Sequence, residues 1–321
     1  FTGDVTERRE AQGQEVTSGL FVEDDWTLGS VVLTGSARGD YWTISNGSTT
    51  ATTPEGAVTS NNRYPDRNAW ELSLRAGALW HVNDVLALRA AGYSSFRLPT
   101  LNELYRGFTV FPVVTQANAD LAPERLKGGE LGIELTPARG VNLSATAFYN
   151  RLDNAIANVT IATNLRQRRN VDAIVAKGIE LNAHVDLGAF DLAASYAYND
   201  SHVEASGAAS ALDGLWPAQS PRNMASATLG WTGPSGTGLA GLRLATTLRY
   251  IGPQYEDDLE ANRMPGVATV DGVARLPLAG RLDLIGRVEN LLDATVITRK
   301  VGDDMDLGTP RTFWIGFSIT G

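Results

Sequence analysis

The sequence predicts an all-β protein, a transmembrane antiparallel up-and-down β-barrel, and three observations predict it. Apolar residues alternate with polar or small ones over stretches of about 9 to 13 residues, the length of a tilted membrane-crossing strand. The connections between those stretches alternate short and long throughout, as tight periplasmic turns and long extracellular loops do. Tryptophan and tyrosine gather at the ends of the stretches, where the two membrane interfaces lie.

The stretches run over 14–26, 31–42, 69–81, 85–96, 128–136, 141–151, 173–187, 190–200, 223–232, 242–252, 266–276, 281–290 and 310–320. From Ala69 to His81 one face reads Trp70, Leu72, Leu74, Ala76, Ala78, Trp80 and the other Glu71, Ser73, Arg75, Gly77, Leu79, His81. From Val141 to Asn150, Val141, Leu143, Ala145, Ala147 and Tyr149 oppose Asn142, Ser144, Thr146, Phe148 and Asn150. Ile179, Leu181, Ala183 and Val185 likewise oppose Glu180, Asn182, His184 and Asp186. Leu242, Leu244, Thr246, Leu248 and Tyr250 oppose Arg243, Ala245, Thr247 and Arg249. One face suits hydrocarbon and the other suits water.

Short connections fall at 27–30, 82–84, 137–140, 188–189, 233–241 and 277–280. Long ones fall at 43–68, 97–127, 152–172, 201–222, 253–265 and 291–309. A soluble sandwich has no reason to keep every long loop at one end. Lipid-facing Trp26, Trp80, Phe190 and Trp231 sit beside short turns, whereas Tyr41, Trp70, Tyr149, Tyr198 and Tyr250 sit near long loops, so two aromatic girdles are expected.

Composition narrows the function. No run of about 18 to 20 apolar residues exists for a membrane helix, so a spanning chain must span as strands. The net charge of −9 argues against nucleic acid, and the absence of Cys removes disulfides, thiolate zinc sites and thiol catalysis. The first residues, Phe1 to Asp4, carry no targeting signal. The chain reads as a single domain, 1–321. Whole bacterial barrels have an even strand number, so thirteen strands imply that an odd number precedes them.

Particular residues then resemble a family. Phe96-Arg97-Leu98-Pro99-Thr100-Leu101-Asn102-Glu103-Leu104-Tyr105, followed by Asn118-Ala119-Asp120-Leu121-Ala122-Pro123-Glu124, resembles the paired motifs of TonB-dependent outer-membrane receptors. Phe21-Val22-Glu23-Asp24-Asp25-Trp26, Gly178-Ile179-Glu180, Pro221-Arg222-Asn223, Val288-Glu289-Asn290-Leu291-Leu292-Asp293 and Thr309-Pro310-Arg311 match in order. Two positions depart: Ala119 stands where the family has Pro, and the chain ends Ile319-Thr320-Gly321 without a terminal aromatic.

The resemblance implies the last thirteen strands of a 22-stranded barrel, with the plug domain and its TonB-binding segment upstream. It implies a bacterial outer-membrane location and a monomer. It implies a small-molecule ligand, a metal chelate such as a ferric siderophore or cobalamin, and energy from the TonB–ExbB–ExbD complex. A passive porin and a non-transporting adhesin or assembly barrel are the rival readings.

Candidate chemistry is sparse. Gly236-Thr237-Gly238-Leu239-Ala240-Gly241 fits a dinucleotide fingerprint, but a strand follows it instead of a helix, so it reads as a turn. His81, His184 and His202 share no metal-ligand spacing, and no serine elbow exists; no catalytic residue, no cofactor and no dedicated metal site is expected. Glu256-Asp257-Asp258 and Asp303-Asp304-Asp306 offer hard oxygen ligands for calcium or are solvated loop charges.

Arg166, Arg168 and Arg169 form the basic cluster of a long loop, suited to an anionic ferric chelate, to lipopolysaccharide phosphate, or to solvent, and the sequence leaves these open. The loop aromatics Tyr105, Phe108, Phe111, Trp216 and Tyr255 suit a planar or catecholate ligand, or loop packing.

Overall fold

The computed structural model describes residues 4–279 and 281–319. Thirteen antiparallel strands, each paired with its neighbour in sequence, form one continuous wall. They are β1 (Arg8–Leu28), β2 (Val31–Thr52), β3 (Arg67–His81), β4 (Leu86–Arg97), β5 (Glu124–Ala138), β6 (Val141–Asp153), β7 (Ala173–Leu187), β8 (Phe190–Glu204), β9 (Asn223–Thr232), β10 (Arg243–Ile251), β11 (Val267–Ala279), β12 (Leu282–Glu289) and β13 (Thr312–Ile319). The wall is open: β1 and β13 do not pair with each other. Three readings lie on residues outside those described: the N-terminal reading at 1–3, the turn residue 280, and the terminal residues 320–321.

The register keeps one apolar set in line across the sheet. Trp80 lies beside Val31 and Leu88, Leu131 beside Ala90 and Ala147, Leu181 beside Ala145 and Tyr196, and Leu244 beside Trp231 and Ala274. A one-residue slip at any pairing would turn a whole strand's apolar set inward, so the alternation enforces the register. These side chains stay open to the surroundings: Trp70 is 71% exposed, Leu131 67% and Ile315 80%. A continuous apolar face of this extent needs hydrocarbon against it, since monomers in water rarely expose more than a few hundred Å².

The opposite face is held by ion pairs. Arg89 reaches Glu130 at 3.0 Å and donates to Thr146, Arg38 reaches Asp40 at 2.7 Å, Arg287 reaches Glu289 at 2.5 Å, and Arg249 and Arg275 pair with Asp271 and Asp283. His81 and His184 fall on this face, as the alternation requires.

The sequence reading is corrected at the long-loop end. Strand β1 begins at Arg8 instead of near residue 14, and β2 continues to Thr52 instead of stopping near 42. The extra length pairs Arg8 with Thr52 and Gln12 with Ser48. It is mostly polar, with Ile44 buried, so the hydrophobic period that marks a membrane strand is missing there. The supposed loops also carry their own structure. Phe108–Val110, Val113–Gln116, Leu165–Asn170 and Ile156–Ala162 form a four-stranded sheet. Val58–Arg63 extends the wall on β2, and two hairpins, Gln254–Tyr255 with Arg263–Met264 and Ile297–Val301 with Asp304–Leu307, cap the later strands. The Gly-rich turn at 236–241 leads into β10 with no helix, as read.

Candidate functional site

The long-loop end is organised around one short helix, α1 (Leu101–Tyr105). Its start is a capping box: Thr100 Oγ1 accepts from Glu103 N–H at 3.2 Å while Glu103 Oε2 accepts from Thr100 N–H at 2.7 Å. A five-residue helix needs such help. Arg97, the last residue of β4, donates to both Glu103 oxygens at 3.0 and 3.2 Å and to Glu124, which also accepts the Ile156 N–H at 2.7 Å. Burial raises the Glu103 carboxyl, but the Arg97 and Thr100 hydrogen bonds outweigh it and hold the group below its ordinary value. Arg97 thus ties helix, wall and loop sheet together, and the residues Phe96, Pro99, Thr100, Pro123 and Glu124 of the sequence motif surround this knot.

Tyr105 carries the helix onto the wall. It is 6% exposed and stacks on Tyr64 with ring centres 5.1 Å apart. A β-bulge between Gln12 and Gln14 and the left-handed Asn46 (φ 55°) shape the seat. Gly13 and Gly47 line it: a Cβ at either would meet the tyrosine ring at 2.8 or 2.5 Å. Trp42, Ile44, Leu98, Leu104 and Leu121 close the cluster. The segment Asn118 to Glu124 is held by Arg67, which donates to the carbonyls of Ala119 and Leu121 at 3.0 and 2.8 Å. Asn170 exchanges hydrogen bonds with the Ala122 backbone.

The expected ligand residues divide. Tyr105 is framework. Arg168 is framework too, since its Nη1 donates to the carbonyls of Asn102 (2.6 Å) and Arg106 (3.1 Å) and its guanidinium lies 5.2 Å over Phe108; burial lowers its pKa. Each spends much of its polar or aromatic surface on neighbouring loop elements, the loop-packing alternative for Tyr105. All three arginines lie on the strand Leu165–Asn170, and Arg169 is held by Gln167 at 2.8 Å. Phe111, 74% exposed, sits at the hairpin tip between Phe108–Val110 and Val113–Gln116.

Trp216 stands edge-on to Tyr255 at 5.7 Å and takes the Arg222 guanidinium on its face at 3.8 Å. Asp258 is pushed up to about 6 by burial, with the nearby Arg166 charge opposing and Asp257 adding.

The acidic clusters do not converge. Asp257 accepts from the N–H groups of Leu259, Ala261 and Asn262, which hold it below the ordinary range against burial, and Asp303 and Asp304 lie in the hairpin around Gly302. Among the described residues no group of three acidic or histidine side chains is placed around one point. The later motif builds loop bases: Asn290 accepts from Ala294 N–H and donates to Ala294 and Thr309 carbonyls, and the Asp293 carboxylate accepts from Arg311 N–H at 2.9 Å. Glu289 accepts from Trp314, and Pro310 from Thr312.

Sequence reasoning missed a cavity of about 1280 Å³ between the upper ends of β1 and β2, the strand Val58–Arg63 and α1. Hydroxyl and amide groups of Gln12, Thr49, Thr50, Asn62 and Asn102 line it together with Tyr64, Leu101, Tyr105 and Val114, and Glu7 and Glu10 are balanced by Arg9 and Arg106. The capping box in Thr100 to Glu103 was the available signal that chain returns here as a helix.

Comparison with known proteins decides the family. The model of the TonB dependent receptor-like β-barrel matches residues 2–291. The chain belongs to this family. It is 27% identical over 263 residues to the ferrioxamine receptor of Yersinia enterocolitica, covering 81% of this chain and 32% of that protein. It is 23% identical over 290 residues to the vitamin B12 transporter BtuB of Photobacterium profundum, covering 88% and 42%. The ferric yersiniabactin uptake receptor FyuA of Yersinia pestis superposes with a TM-score of 0.76 at 17% identity, over 97% of this chain and 47% of that one, a likeness of fold. The match thus spans 32% and 42% of the length of these two curated relatives.

Proposed function

We propose that this chain is the ligand-facing wall of an outer-membrane receptor that imports a polar metal chelate of low net charge, with energy delivered through TonB. The observation that carries the ligand class is the lining of the cavity beside α1: hydroxyl and amide groups with two carboxylates balanced by two guanidiniums. A lining of that kind recognises hydroxamate or amide oxygens by hydrogen bonds and gives a multiply anionic chelate no net attraction. The ferrioxamine receptor among the relatives fits the same class.

The test is growth rescue of a receptor-deleted, iron-starved strain by the full-length gene, with ferrioxamine B, ferric citrate and cobalamin supplied separately. Rescue by ferrioxamine B, lost when tonB is also deleted, is the expected result. Rescue that persists without TonB, or that follows ferric citrate or cobalamin alone, overturns the reading.

A further inference from the structure

The C-terminal end of α1 presents two uncommitted side chains to the cavity beside it. Asn102 and Arg106 both line that cavity and both are exposed. Among the described residues the Asn102 carboxamide has no hydrogen-bond partner, and the Arg106 guanidinium has neither a hydrogen bond nor an ion pair. Arg9, the other cation of the cavity, is paired with Glu7. Asn102 and Arg106 are one helical turn apart, so an amide donor and a guanidinium lie on one face.

The backbone beneath them is held from outside the helix. α1 carries no basic residue in its own last turn. Arg168, on the strand Leu165–Asn170, supplies that charge: its Nη1 donates to the carbonyls of Asn102 at 2.6 Å and of Arg106 at 3.1 Å. The two carbonyls it bridges belong to the two residues whose uncommitted side chains line the cavity. Arg168 is tied to another wall of the cavity as well. Its carbonyl accepts from Asn118 Nδ2 at 3.0 Å, and its strand runs parallel to Val113–Gln116, from which Val114, Thr115 and Gln116 line the cavity. Arg168 itself is not a lining residue.

A guanidinium beside an amide donor is complementary to oxygen acceptors, and most to a carboxylate, which accepts two N–H bonds and neutralises the charge. We propose that Asn102 and Arg106 bind a single carboxylate at one end of the chelate, and that Arg168 is the positioning residue that aims them. The assignment rests on the reading above that this cavity is the chelate site. Arg168 fixes the backbone that carries the two donors, so its loss acts on recognition of the carboxylate more than on the rest of the ligand. An exposed guanidinium–carboxylate pair contributes about fivefold to affinity.

The experiment uses the full-length receptor in detergent, with binding followed by quenching of tryptophan fluorescence. The probes are ferrioxamine B acetylated at its amine and ferrioxamine B succinylated there, which differ by one carboxylate. Wild-type protein is expected to bind the succinyl form about fivefold more tightly. Arg106→Gln should bring that ratio to about one and leave affinity for the acetyl form within about twofold. Arg168→Gln should bring the ratio below about twofold, and Arg168→Lys, which returns a cation to the two carbonyls, should restore it to above about threefold.

A purely structural role for Arg168 weakens both forms alike; a ratio that stays at the wild-type value in Arg168→Gln therefore overturns its positioning role. Equal binding of the two forms by wild-type protein, which needs no variant, overturns the carboxylate assignment, and so does a ratio that survives Arg106→Gln. Binding of neither form by wild-type protein overturns the chelate reading itself, so the two failures are distinguishable.

Discussion

Replacing Arg97 by Ala is expected to release helix α1 while leaving the wall intact. Arg97 holds Glu103 with two hydrogen bonds and Glu124 with a third. Glu124 is 5% exposed, so removing its cation strands a buried carboxylate whose remaining donor is the Ile156 N–H. Breaking a buried pair from one side costs about 3 to 5 kcal/mol. The Arg97 side chain is 46% exposed, so solvent screens part of that, and about 2 to 3 kcal/mol is the reasoned figure.

Hydrogen exchange of the full-length receptor reads this directly: the amides of Leu104 and Arg106, bonded within α1, should exchange about 30- to 150-fold faster. Glu103→Gln, which spares Glu124, should accelerate them by less than about fivefold. Unchanged exchange in R97A, or equal acceleration by both variants, would refute the role given to the Arg97–Glu124 pair.

Other outcomes follow from the same geometry. Tyr105→Ala opens the space bounded by Tyr64, Gly13 and Gly47 and should destabilise the α1 region by about 3 to 5 kcal/mol, seen as rapid proteolysis near residue 105 with the barrel still resistant to heat on gels. The raised Asp258 group favours the folded loop fully below its ordinary pKa of 3.8, and that stability is lost as pH rises through about 6. Asp258→Asn should therefore slow exchange over 254–264 at pH 7.5, by a factor reflecting about 1 to 2 kcal/mol, and make no difference near pH 4.

How much was legible follows from what each residue has to satisfy. Residues 69–81 and 141–150 announced their faces because hydrocarbon on one side and water on the other demand a period of two, and the register confirms it across the sheet. Residues 8–13 and 43–52 are mostly polar, with Gly13, Ile44 and Gly47 packed against the Tyr105 cluster, so no period of two runs through them and their pairing was invisible. Tyr105 and Arg168 carried the chemistry of a ligand contact, but composition cannot distinguish a ring offered to a ligand from one seated on Gly13 and Gly47. Glycine spacing in two strands distant from the helix is a tertiary signal. The capping box at Thr100 and Glu103 was local and readable, and it marks α1 without help from the fold.

Single cysteines at positions 141 to 150, placed in the full-length receptor within a segment that has no cysteine of its own, test in membranes whether β6 has one side in lipid. Spin labels at 141, 143, 145, 147 and 149 should relax with oxygen dissolved in the bilayer, and labels at 142, 144, 146 and 148 should not. Equal response on both sets, or the reverse alternation, would contradict the wall described above.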